Sequence, residues 1–177
     1  MTDPDSRIMK TRSVYVQGYN AQAVVTEDQI IVATEVTQEE NDVHQRHPML
    51  SQAKENLAVA GCWERIEAAD ADAGYWSEAN LRHADPEGPE LLIATTKDWK
   101  QRKAMREQPV PRGRMPANLS LRERMERKLL TKRGRTRYKQ RSQTVEPVFG
   151  QIKEARGCDR FLRRGKSACD SEWCLTS

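Results

Sequence analysis

The chain has 177 residues, enough for one domain with a modest core, because 37% of them are hydrophobic and 32% are charged. Its net charge of +4 hides an uneven distribution: residues 1–96 carry 7 Lys and Arg against 17 Asp and Glu, whereas residues 97–177 carry 23 against 9. A net of +14 in the second half exceeds what solubility needs and suits a polyanion such as nucleic acid, while no apolar run approaches membrane-spanning length.

The opening Thr2-Asp-Pro-Asp-Ser run is polar and predicted to turn. Residues 14–25 alternate in part between apolar and polar side chains around Gly18, and residues 29–36 are rich in Ile, Val and Thr. The two read as a hairpin joined near Glu27 and Asp28. His47 to Ala60 places Met49, Leu50, Ala53, Leu57 and Ala58 at helical spacing. Ile66 to Ala71 then reads as a short strand that delivers Asp72. Gly74 bends the chain, Ser77 can cap a helix carrying Ala79, Leu81 and Ala84, and Leu91 to Thr96 is a further strand. Such alternation indicates an α/β fold. In these folds the carboxyl end of a strand faces the crevice where ligands bind, which makes Asp72 a candidate; a turn aspartate beside a helix start is the competing reading. Asp42 reads as structural, and His44, His47 and His83 as surface residues.

After Thr96 the composition shifts. Residues 97–119 are predicted as a basic, flexible insertion broken by Pro109, Pro111, Gly113 and Pro116. Trp99 within it either stacks on an exposed base or packs against the sheet edge, and packing is the commoner fate of tryptophan. Ser120 and Glu123 match a capping box ahead of a helix with Leu121, Met125 and Leu129 on one side. Lys132-Arg-Gly-Arg-Thr-Arg137 is predicted as a basic turn able to grip a phosphate backbone. Pro147 lacks an amide proton and restricts Glu146 before it. The next helix is therefore expected to start near Thr144 to Pro147, with Glu146 at the positive end of the helix dipole. From Glu146 to Lys153 is seven residues, close to two turns, so both side chains can share one face while Val145, Val148, Phe149 and Ile152 pack on the other. An ordinary amphipathic surface helix would show the same spacing. The four cysteines, Cys62, Cys158, Cys169 and Cys174, form no CxxC pair and have no histidine at ligand spacing; they read as reduced cytoplasmic thiols and not as a zinc site.

Gly18-Tyr-Asn-Ala-Gln22, Asp72-Ala-Gly-Tyr75 and the Tyr-x2-Arg-x4-Glu-x6-Lys run from Tyr138 to Lys153 together resemble the bacterial DDE insertion-sequence transposases with a YREK signature. The resemblance covers nearly the whole chain, from Thr2 to Gly165. It implies an RNase H-like mixed sheet flanked by helices, in which three carboxylates hold Mg2+ or Mn2+. Asp72 resembles the second carboxylate and Glu146 the third, both catalytic metal ligands. Tyr138, Arg141 and Lys153 resemble the accessory residues that meet DNA phosphate. Two departures stand out: four residues separate Arg141 from Glu146 where the signature has three, and no aspartate on an apolar strand precedes Gly18, where the family carries its first catalytic aspartate. Asp3 and Asp5 lie instead in the polar opening turn. Residues 1–177 are therefore expected to be a partial catalytic domain, truncated at both ends and missing its first strand.

The activity the resemblance implies is metal-dependent cleavage and transfer of DNA strands during transposition. Its partners would be double-stranded insertion-sequence ends and target DNA, its location the bacterial cytoplasm at the nucleoid, with no membrane and with room for a homodimer in the complete protein. An inactive remnant, or a noncatalytic nucleic-acid-binding protein, would retain the same basic half.

Overall fold

A computed structural model describes residues 3–10, 14–82 and 84–177, so His83 and Thr2 lie outside the described residues. The strands are β1 (Arg7–Lys10), β2 (Tyr15–Gly18), β3 (Asn20–Val25), β4 (Ile31–Thr37), β5 (Ala68–Ala71) and β6 (Glu90–Ile93). The helices are α1 (Arg46–Val59), α2 (Glu78–Arg82), α3 (Trp99–Glu107), α4 (Leu121–Leu130), α5 (Lys132–Gly150) and α6 (Lys166–Thr176), with a π-helical turn at Gln151–Ala155. The class is a mixture of α and β, and the described strands pair as three two-stranded sheets: β1 with β2 and β3 with β4 antiparallel, β5 with β6 parallel. Contacts divide the chain into Met1–Trp63 with Thr144–Ser177, and Glu64–Gln143.

In the first unit the β3–β4 hairpin is covered on both faces, which is why its strands carry apolar residues at successive positions. One face meets Val148, Ile152, Cys169 and Trp173, with Val36 and Ala21 on the strand side. The other holds Ala33 against Met49 and Ala53 of α1. Phe149 stacks on Trp173 with ring centroids 5.8 Å apart, and the Trp173 indole N–H donates to the Gln22 carbonyl at 2.8 Å. The expected single strand over residues 14–25 is split at Tyr19. Here the Tyr19 ring meets Phe161 edge-on at 6.2 Å, and its hydroxyl donates to Asp3 Oδ2 at 2.8 Å. The residues before it pair with β1, a strand the sequence did not announce, and those after it pair with β4.

Asp3 and Asp5 fasten the opening turn to the start of α6. The Gly165 amide donates to Asp3 Oδ2 at 2.8 Å and the Lys166 amide to Asp5 Oδ2 at 3.2 Å. Gly165 adopts φ +87°, a left-handed conformation that glycine reaches without strain. The Gly165 amide holds the Asp3 carboxyl below its ordinary range, opposed by partial burial and helped by Tyr19. Asp42 Oδ1 likewise accepts from the amides of Asn20 at 2.7 Å and Gln22 at 2.8 Å, consistent with a structural role.

In the second unit β6 is nearly fully buried beneath Met125 and Leu129 of α4. Ser120 and Glu123 form the expected capping box. The stretch read as a flexible insertion contains α3, started by the Asp98 carboxylate accepting from the Lys100 amide at 2.8 Å. The loop after α3 is tied to α4 by Arg127, which donates to the Arg112 carbonyl at 2.7 Å, and by Arg124, which donates to Ala117 at 2.7 Å.

Two expectations for the basic half are corrected. Lys132 to Arg137 is not a turn but the first part of α5. Thr131 closes α4 and starts α5: its hydroxyl donates to the Lys128 carbonyl at 2.7 Å and accepts from the Gly134 amide at 3.0 Å. Gly134 permits this tight junction, since a Cβ there would collide with the Lys128 carbonyl oxygen. Nor does a helix begin at Thr144 to Pro147. Pro147 lies inside α5, so Glu146 is far from the helix start, and the dipole, which acts within the first turn, does not reach it. The π turn beyond Gly150 also departs from the 3.6-residue period that would align Glu146 with Lys153.

Gly134→Ala should destabilise the protein by about 1–3 kcal/mol in urea unfolding, because overpacking against a backbone carbonyl outweighs the helix propensity gained. Asp3→Asn tests the opening turn. A carboxylate whose folded pKa is depressed contributes stability above its unfolded pKa of about 3.9 and loses it as pH falls through the folded value. The variant should therefore unfold more easily than wild type near neutral pH, and the difference should shrink in acid.

Candidate functional site

Asp72 stands immediately after β5, the parallel strand whose neighbour is β6. The chain reverses there because Asp72 Oδ1 accepts from the Gly74 amide at 2.7 Å, and Ser77 Oγ then accepts from the Asn80 amide at 3.4 Å at the start of α2. Asp72 is thus both a turn former and a residue at the carboxyl end of a strand. Its other oxygen, Oδ2, lies 3.5 Å from Arg141 Nη2 of α5. At this distance and partial exposure the pair contributes no more than about 1 kcal/mol, weak enough for either partner to exchange for a phosphate or a cation.

Tyr138, one turn before Arg141, is half-buried beside the same pair. Burial pushes its hydroxyl pKa above the ordinary value; Arg141 opposes the shift, Asp72 adds to it, and Arg102 and Arg106 of α3 oppose it. The structure therefore gathers Asp72, Tyr138 and Arg141 within one unit, and brings to them two arginines that sequence spacing had not singled out. The i, i+4 placement of Arg102 and Arg106 on a helix was the available signal, masked because the segment read as irregular.

Glu146 and Lys153, both exposed, belong to the other unit: Glu146 is on α5 beyond Gln143, Lys153 on the π turn. The apolar side of this stretch packs as expected, with Val148 and Ile152 in the core and Phe149 on Trp173. Trp99 corrects the expectation of packing, since it is 61% exposed at the start of α3.

Asp72 offers the hard oxygen donor that Mg2+ or Mn2+ prefers. Among the described residues, however, no three His, Cys, Asp or Glu side chains gather as a cation site. The second oxygen of Asp72 faces a guanidinium, so a cation there would have to displace Arg141. No helix among the described residues is long and apolar enough to cross a membrane.

Asp72→Asn should lower the pKa of Tyr138 by removing a negative neighbour, and Arg141→Gln should raise it. Ultraviolet phenolate titration against a Tyr138→Phe background would resolve both directions.

Residues 100–177 match the family model described as Transposase DDE domain. No curated protein and no solved structure matches the chain.

Proposed function

From this match we propose that the chain is the catalytic part of a bacterial insertion-sequence transposase of YREK type, performing metal-dependent DNA strand cleavage and transfer. The observation that carries the reading is the match over residues 100–177, which takes in Tyr138, Arg141, Glu146 and Lys153. Asp72 at a strand end beside Arg141 supports it from outside the matched span. On this reading residues 1–177 form an RNase H-like catalytic domain whose partners are insertion-sequence ends and target DNA in the bacterial cytoplasm, and a homodimer is a possible assembly.

Asp72 and Glu146 are the proposed metal ligands. Bound Mg2+ or Mn2+ would supply activation of a water or 3′-hydroxyl and stabilisation of the leaving oxygen. The remaining roles fall to the protein's own cations. Arg141 and Lys153 neutralise phosphate, and Arg141, with its planar fork, can hold two phosphate oxygens once it releases Asp72. Tyr138 keeps its proton at neutral pH, as a tyrosine ordinarily does and as burial reinforces by raising its pKa, so it donates a hydrogen bond to phosphate and does not act as a base.

Plasmid nicking in Mn2+ or Mg2+ tests the reading. Glu146→Gln and Asp72→Asn should each cut the rate by at least about 100-fold while leaving DNA affinity in place. Nicking that persists in both variants would sink the assignment, and DNA binding without any metal-dependent nicking would mark the chain as a noncatalytic nucleic-acid-binding protein.

A further inference from the structure

Most arginines of the second unit are already committed to holding that unit together. Arg133 and Lys128 meet Glu90 at 2.9 and 3.6 Å, Arg137 meets Glu67 at 3.2 Å, and Arg122 meets Glu126 at 3.0 Å. Arg124, Arg127 and Arg135 are spent on backbone carbonyls at 2.7, 2.7 and 2.5 Å. The positive charge of the sequence is therefore a poor map of where a polyanion binds. Arg102 and Arg106, like Arg112 and Arg114, are not among these committed arginines: among the described residues, none of these guanidiniums has an ion pair or a hydrogen-bond acceptor, and Arg102 and Arg106 are the ones on a helix. They lie one turn apart on one face of α3.

The placement of α3 gives this uncommitted charge a direction. Arg135 of α5 donates to the carbonyl of Gln108, the residue that caps the end of α3, which fixes that end against α5. Tyr138 lies three residues further along α5, on the side Arg135 occupies, and Arg141 follows one turn later. Arg102 and Arg106 are close enough to Tyr138 for their charges to act on its hydroxyl. Two arginines with no ion pair or hydrogen-bond acceptor among the described residues thus lie near half-buried Tyr138, which stands one turn before Arg141 on α5.

We propose that Arg102 and Arg106 form a phosphate-binding ridge on α3 that holds the DNA backbone beside Asp72, Tyr138 and Arg141. The proposal rests on the transposase reading and adds to it the element that grips the strand flanking the reacting phosphodiester. Backbone phosphates are the occupant because paired guanidiniums one turn apart offer fork-shaped donors with no base-reading partner, so the ridge confers affinity and register but no sequence preference.

The test is the salt dependence of binding to a fluorescent DNA duplex and to an RNA duplex of the same sequence, measured by anisotropy on the full chain. Arg102→Gln and Arg106→Gln should each reduce the log–log salt slope on DNA by about 1, and the double variant by about 2, with circular dichroism and Tm unchanged. Lys100→Gln, on the far side of α3 from Arg102, should leave the slope at the wild-type value. A wild-type slope in the double variant, an equal loss in Lys100→Gln, or a loss seen with RNA alone would overturn the ridge while leaving the transposase reading intact. A wild-type chain with no affinity for DNA would overturn both.

Discussion

The placement of Glu146 and Lys153 depends on α5 continuing through Pro147. A proline in a helix interior removes one backbone hydrogen bond and crowds the carbonyl four residues earlier, at a cost of about 3 kcal/mol or more. What offsets it is the packing that follows at once: Val148 and Ile152 are buried in the core around Val36 and Trp173, each full burial being worth about 1.5–3 kcal/mol, and Phe149 packs partly buried against it. Two such burials are of the same size as the cost of one proline.

The second organising influence is the demand of guanidinium groups for acceptors. A strongly basic segment would repel itself if its charges were left unpaired, and here Glu67, Glu90 and Glu126 and the carbonyls of the 108–119 loop take up Arg122, Arg124, Arg127, Lys128, Arg133, Arg135 and Arg137. Individual exposed pairs of this kind are worth little. Together they position α4 and α5 against β6. Arg141 lies 3.5 Å from Asp72.

Carboxylates in the first unit show the converse. Asp3, Asp5 and Asp42 are each engaged by amide or hydroxyl donors from distant parts of the chain, with Tyr19, Asn20 and Gln22 supplying three of those donors. The Gly18-Tyr-Asn-Ala-Gln22 motif is therefore explained locally by structure: it turns the chain between two ladders and satisfies acidic side chains on either side. Asp72 differs from all three in keeping one oxygen on a loose, exchangeable partner.

Local signals were legible wherever a few adjacent residues decide the outcome. The β3–β4 hairpin, α1, the β5 strand that delivers Asp72, and the Ser120 capping box all follow from periodicity and side-chain chemistry within a short window. The amino-acid sequence by itself also determined the charge asymmetry and the Tyr138 to Lys153 run, because both are properties of order along the chain. Gly134 and Pro147 were misread for one reason: each is a breaker by local rule, yet one is required by the close approach of the Lys128 carbonyl and the other is carried by core packing. Which arginines remain available for a ligand could not be read from the sequence either. That was decided only by the tertiary structure, because a cation's freedom depends on the acceptors that folding brings to it from elsewhere in the chain.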